Sequence, residues 1–151
     1  MSQSICKIYV HIIFHIKTTS PRIHADDLDG VHAYIGQIID DTNCNTIWVD
    51  GVGDHVHALC VLGRDTTVSH LVEEMKRNSS RWIKSISPHY KGFSWQGGYA
   101  AYAVSQSMME KTLAYIKGQK EHHKKMTFRE EYRRFLELYH VEYDERYVFG
   151  E

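Results

Sequence analysis

The order of elements legible in this sequence, β-α-β-β-α-β followed by further helices, predicts an α+β fold. It is a ferredoxin-like antiparallel sheet, a layout shared with RRM-like domains, with additional C-terminal helices. Three observations predict it. Residues 6–17 alternate strictly between two sides, a Gly-rich turn joins two short apolar runs, and residues 26–41 and 68–86 carry helical periodicity.

The first strand spans Cys6 to Lys17, with Cys6, Ile8, Val10, Ile12, Phe14 and Ile16 on one side and Lys7, Tyr9, His11, Ile13, His15 and Lys17 on the other. A helix over Asp26–Asp41 aligns Leu28, Val31, Ile35 and Ile38 behind an acidic entry. Strands Ile47–Val49 and His55–Leu62 flank Asp50-Gly51-Val52-Gly53-Asp54, which suits a hairpin with a loop of a few residues. Val56, Ala58, Cys60 and Leu62 make the core side of the second strand, so His55 and His57 point to the opposite side. Val68–Ile86 is a helix with Val68, Leu71, Val72, Met75, Trp82 and Ile83 on one flank and Lys76, Arg77, Arg81 and Lys84 on another. Tyr99–Ser105 closes the sheet, Met108–Lys125 is a helix, and Thr127–Tyr139 is a last helix that Thr127 caps, with Glu130 completing a capping box. Two helices then cover one face of the sheet. The other face, carrying both histidines, is expected to be open.

The 151 residues suit one domain, 1–151. With 42% apolar and 25% charged residues, the composition excludes disordered, fibrous and membrane classes. The longest apolar runs, such as Ala58 to Leu62, are far short of the ~20 residues that span a bilayer. No secretory pattern opens the chain, so a cytoplasmic location is expected. Cys6, Cys44 and Cys60 are odd in number and lack C-x-x-C spacing, which argues against a disulfide framework or a thiolate zinc site. Eleven histidines bring metal binding and proton transfer into view.

Net charge is −1, yet between Met75 and Arg129 eleven Lys or Arg stand against two acids, a local charge of +9. Such a stretch is either a solvated face or a polyanion site. Gly53-Asp54-His55-Val56-His57 sets two imidazoles on one side of a strand, either a solvated pair or a place for one cation. Tyr115 and Gln119, four residues apart, share a helix face offset from the stripe of Met109, Leu113 and Ile116, and His122 and His123 continue that face. They are either incidental surface residues or a nucleophile beside an amide ligand. The amide oxygen of Gln119 would suit Mg²⁺ or Mn²⁺ better than Zn²⁺.

GDHVHALCVL, SHLVEEMKRNSSRWI, WQGGYAAYAVS, YIKGQKEHH and TFREEYRRFL occur in that order, and VEYDERYVF ends the pattern. Together these blocks resemble the HUH single-tyrosine transposases of the insertion-sequence 200/605 type, from about Tyr9 to Phe149. The resemblance implies that His55, His57 and Gln119 are metal ligands and that Tyr115 is the catalytic nucleophile. It further implies cleavage and rejoining of single-stranded DNA at hairpin-bearing element ends, through a covalent 5′-phosphotyrosine, with Mg²⁺ or Mn²⁺ and as a homodimer. Tyr115 would then act on its own chain's site or its partner's.

A metal held by two neutral imidazoles and an amide keeps most of its charge to offset that on a reacting phosphodiester. Lys76, Arg77, Arg81 and Lys84, extended by Lys17 and Arg22, are the expected DNA contacts, with Trp82, Trp95, Tyr99 and Tyr102 either stacking on bases or packing in the core. Two other classes stay open: a nucleic-acid-binding module without cleavage, and a metal-dependent hydrolase using activated water.

Overall fold

The computed structural model describes residues 2–150. Four strands, β1 (Ile8–His15), β2 (Asn45–Val52), β3 (His55–Leu62) and β4 (Ala100–Val104), form one antiparallel sheet in the order β2-β3-β1-β4. The α+β, ferredoxin-like order expected from the sequence is the one observed. Helices α1 (Ala25–Asp41) and α2 (Val68–Ile86) cover one face, burying Val31, Ile35, Leu71, Met75 and Ile83 against Val10, Ile12, Phe14, Val56, Ala58 and Cys60. The apolar phase of β1 and β3 fixes this register: Val10 opposes Cys60, Ile12 opposes Ala58, and Phe14 opposes Val56.

Register also decides what lies on the other face, where His11 opposes Leu59, Ile13 opposes His57 and His15 opposes His55. That face is not open. Helix α5 (Phe128–Leu138) lays Phe128, Tyr132 and Leu136 over Ile13, Ala100 and Tyr102, and Phe149, just after the short α6 (Glu145–Val148), seals the cluster. Its apolar stripe, at positions i, i+4 and i+8, supplies the cover that the order of the first six elements leaves out.

Two further expectations change in detail. β2 extends to Val52, so the loop to β3 is only Gly53-Asp54. A Cβ at Gly51 would lie 2.3 Å from the His55 carbonyl oxygen, which reserves this approach for glycine. The single helix expected over Met108–Lys125 is broken at Gly118 into α3 (Met109–Lys117) and α4 (Gln119–His122). Gly118 donates its N–H to Ala114 and Tyr115 at 3.1 and 3.2 Å, and glycine is among the weakest helix formers. Thr127 does cap α5, accepting from the Glu130 N–H at 3.2 Å. Among the described residues, no helix is long and apolar enough to cross a membrane.

Candidate active site

The period of two along β3 sends both imidazoles to the α5 side, where His55 and His57 are fully buried. Their outer nitrogens are pinned. His55 Nδ1 donates to Asp54 Oδ1 at 2.7 Å, and the other Asp54 oxygen pairs with Arg22 at 3.1 Å. His57 Nδ1 shares a hydrogen with His11 Nε2 across 2.8 Å, the diagonal neighbour on β1. Both inner Nε2 atoms are thereby aimed at the space under α4 and α5.

From the helical side come an amide and a carboxylate. Gln119 Oε1 is 2.9 Å from His55 Nε2. Glu131, in the first turn of α5, brings Oε1 to 3.1 Å from His57 Nε2, 3.4 Å from His55 Nε2 and 3.2 Å from His123 Nε2. Its Oε2 accepts from Gln119 Nε2 at 3.1 Å and from the Tyr115 hydroxyl, while His122 Nε2 lies 3.2 Å away without a hydrogen bond to it. One buried carboxylate thus joins the histidine pair to the tyrosine.

The electrostatics follow from this crowding. Burial opposes charge on His55, but Asp54 and Glu131 outweigh it and lift the imidazole to about 9. Burial also opposes charge on Asp54, which the His55 hydrogen bond and Arg22 overcome, lowering it to about 2. For Glu131 burial is overcome in the same way by His123, His55 and His57, so the carboxylate stays ionised far below the usual range. Burial lowers His57 to about 4 and His11 to about 3, keeping both neutral. Burial and the facing Glu131 charge hold the Tyr115 phenol protonated.

His55, His57 and Glu131 form one group able to hold a cation, and His122, His123 and Glu131 form another. With Gln119 added, the first offers two nitrogens and two oxygens converging within a few ångströms, a mixed donor set that fits a divalent ion. Two clefts of about 430 Å³ flank it. One is lined by Lys17, Arg22, Asp54, Phe128 and Arg129. The other is lined by His11, Lys111, Tyr115 and Phe135.

The histidine pair faces a helical tyrosine, but it is buried where an open face was expected. The sequence model of the family described as "Transposase IS200 like" matches residues 4–119. The chain belongs to this transposase family. Membership implies a DNA-processing enzyme. Among solved structures, a candidate transposase from Deinococcus radiodurans R1 superposes with a TM-score of 0.60 at 21% identity, covering 79% of this chain and 98% of that one. A REP-associated tyrosine transposase bound to a REP hairpin also superposes at 0.60, with 15% identity over 82% of this chain and 74% of that one. At these identities the two structures support the fold. No curated protein matches the chain.

For an IS200-like transposase the placement of the remaining expected residues is uneven. His55, His57, Gln119 and Tyr115 come together within one chain. Lys17 and Arg22 line a cleft beside Asp54. The α2 residues lie on the opposite layer of the sheet, where Arg77 pairs with Glu73 and Glu74 while Arg81 and Lys84 are exposed. Lys76 does not share that surface: its Nζ donates to the Gln96 and Gly98 carbonyls at 2.8 and 2.6 Å, and burial lowers it to about 8. Trp82 stacks on Tyr34, Trp95 packs edge-on against Phe14, and Tyr102 stacks on Tyr139, so of the four aromatics Tyr99 alone is well exposed. Glu131 was missed by the sequence reading, as were the supporting roles of Asp54 and His11. The model match ends at Gln119, and Glu131 lies beyond it.

Proposed function

We propose that this protein cleaves and rejoins single-stranded DNA at hairpin-bearing ends, with Tyr115 as nucleophile and His55, His57 and Gln119 as ligands to a divalent ion, Mg²⁺ or Mn²⁺. The convergence of the Tyr115 hydroxyl, both imidazoles and the Gln119 amide on one buried centre carries this reading. Tyr115 Oη attacks the phosphorus, the bond from phosphorus to O3′ breaks, and a 5′-phosphotyrosine and a free 3′-hydroxyl result. The phenolic hydrogen leaves with the attack and the departing O3′ acquires one. Rejoining reverses these steps at a new 3′-hydroxyl and needs no nucleotide cofactor, because the ester bond is conserved in the intermediate. A divalent ion among His55, His57 and Gln119 would supply charge to offset that on the non-bridging phosphate oxygens.

Single-stranded DNA reaches this centre through the cleft lined by Lys17, Arg22 and Arg129, the basic opening that borders the Asp54–His55 pair. Tyr115 acts in cis, since its own chain already brings it to Glu131 and leaves its ring centroid 5.8 Å from that of His57. A homodimer would then join two DNA ends with two complete sites. The test is a denaturing gel of protein incubated with hairpin-bearing single strands and Mg²⁺. A protein–DNA band that survives denaturation is expected. Cleaved DNA without such a band would favour hydrolysis by activated water, and intact DNA with binding would favour a module that only binds.

A further inference from the structure

Among the described residues, Glu131 has no lysine or arginine ion-pair partner: His55, His57, His122 and His123 surround it, at a side-chain exposure of 2%. A carboxylate withdrawn from water requires compensating positive charge. Hydrogen-bond bookkeeping shows where that charge must sit. His55 Nδ1 faces the Asp54 carboxylate, which only accepts. That Nδ1 therefore carries the hydrogen, and the neutral ring presents its Nε2 lone pair to the helical side. That lone pair lies 3.4 Å from Glu131 Oε1 and 2.9 Å from Gln119 Oε1, two acceptor oxygens, and a cation seated among the three atoms satisfies them together.

The spacings fit the metal. Donors bound at about 2.1 Å stand about 3.0 Å apart in an octahedral shell and about 3.4 Å apart in a tetrahedral one. His55 Nε2 to Gln119 Oε1 is 2.9 Å, His57 Nε2 to Glu131 Oε1 is 3.1 Å, and His55 Nε2 to Glu131 Oε1 is 3.4 Å. Oε2 is turned the other way, towards Tyr115 and Gln119 Nε2.

We propose that Glu131 is a fourth protein ligand to the divalent ion, binding it through Oε1 while Oε2 retains the Tyr115 hydroxyl. This rests on the reading of His55, His57 and Gln119 as the metal site. The site is then anionic rather than neutral, and one carboxylate registers the nucleophile against the ion.

Mn²⁺ binding to the full-length protein without DNA, followed by the EPR signal of free Mn²⁺, tests the proposal. Glu131→Gln keeps the shape but removes the charge, and it should weaken Mn²⁺ binding at least about tenfold, the lower end of what even an outer-shell partner contributes. His55→Ala is the comparison arm. If His55→Ala weakens binding and Glu131→Gln leaves it unchanged or tighter, Glu131 only plugs the centre and the proposal is wrong while the metal site stands. If neither variant weakens binding, the metal site itself is misplaced. Should Glu131→Gln fail to fold, pulsed ENDOR on wild-type protein labelled with ¹³C at the glutamate carboxyls replaces it. A resolved ¹³C coupling to Mn²⁺ is expected, and its absence overturns the proposal.

Discussion

Replacing Asp54 by Asn asks whether the group behind His55 governs the proposed metal site. Asp54 Oδ1 holds the His55 Nδ1 hydrogen at 2.7 Å, and Asp54 and Glu131 together raise His55 from 6.5 to about 9 against its burial. A base whose folded value is raised adds stability that is fully present below 6.5 and is lost as pH rises through 9. At 1.36 kcal/mol per unit this amounts to about 3 kcal/mol shared by the two carboxylates. Asn still accepts the hydrogen bond but brings no charge, so roughly half, on the order of 1–2 kcal/mol, should disappear at pH 6 in chelator. The loss between pH 6.5 and 9 should flatten accordingly. With metal, a carboxylate behind a ligating imidazole is worth about 10–100-fold in affinity, or about 1.4–2.8 kcal/mol. Mn²⁺ titration at neutral pH measures this directly. Wild-type affinity in Asp54→Asn, with an unchanged stability profile, would refute the role given to Asp54.

Other outcomes follow from the same geometry. His57 and His11 are lowered to about 4 and 3, so the unfolded chain takes up protons that the folded one refuses, and stability falls as pH drops below 6.5. Combined with the alkaline loss at His55, metal-free protein should be most stable near pH 6.5, and denaturant melts of equal midpoint at pH 4.5, 6.5 and 9 would contradict this. Arg22→Ala with Arg129→Ala should flatten the log–log salt dependence of single-strand binding by about 0.7 per lost phosphate contact, whereas an unchanged slope would place the DNA elsewhere. Mixing Tyr115→Phe protein with His57→Ala protein should leave cleavage absent. Recovery on mixing would show that Tyr115 works in its partner's site.

How much of this was legible before folding depends on the kind of signal. β1 and β3 read clearly because a period of two separates Val10, Ile12 and Phe14 from His11, Ile13 and His15, and that phase also places His55 beside His57. The stripe of Val68, Leu71, Val72 and Met75 predicts α2 over Val68–Ile86, its observed span. The break at Gly118 was not legible, since the periodicity that aligns Tyr115 with Gln119 persists across it. Lys76 was misplaced because counting charge along a helix ignores phase. It lies one turn after Val72 and next to Met75, on the flank that packs on the sheet. Glu131 drew no notice, because acids are commonplace in the first turn of a helix, where the dipole favours them. One signal could have found it: in Phe128, Glu131, Tyr132 and Phe135 the carboxylate occupies the i+3 position of an apolar stripe, and a charge there must meet a partner across the interface.

The measurement that tests the central claim most directly is mass spectrometry of the protein after reaction with hairpin-bearing single-stranded DNA and Mg²⁺, followed by nuclease and trypsin. Peptide 112–117, TLAYIK, contains a single tyrosine, Tyr115. A 5′-linked nucleotide phosphate on that peptide, absent from Tyr115→Phe, is the expected result. The nucleotide on another peptide, or a covalent complex of undiminished yield in Tyr115→Phe, would contradict the account.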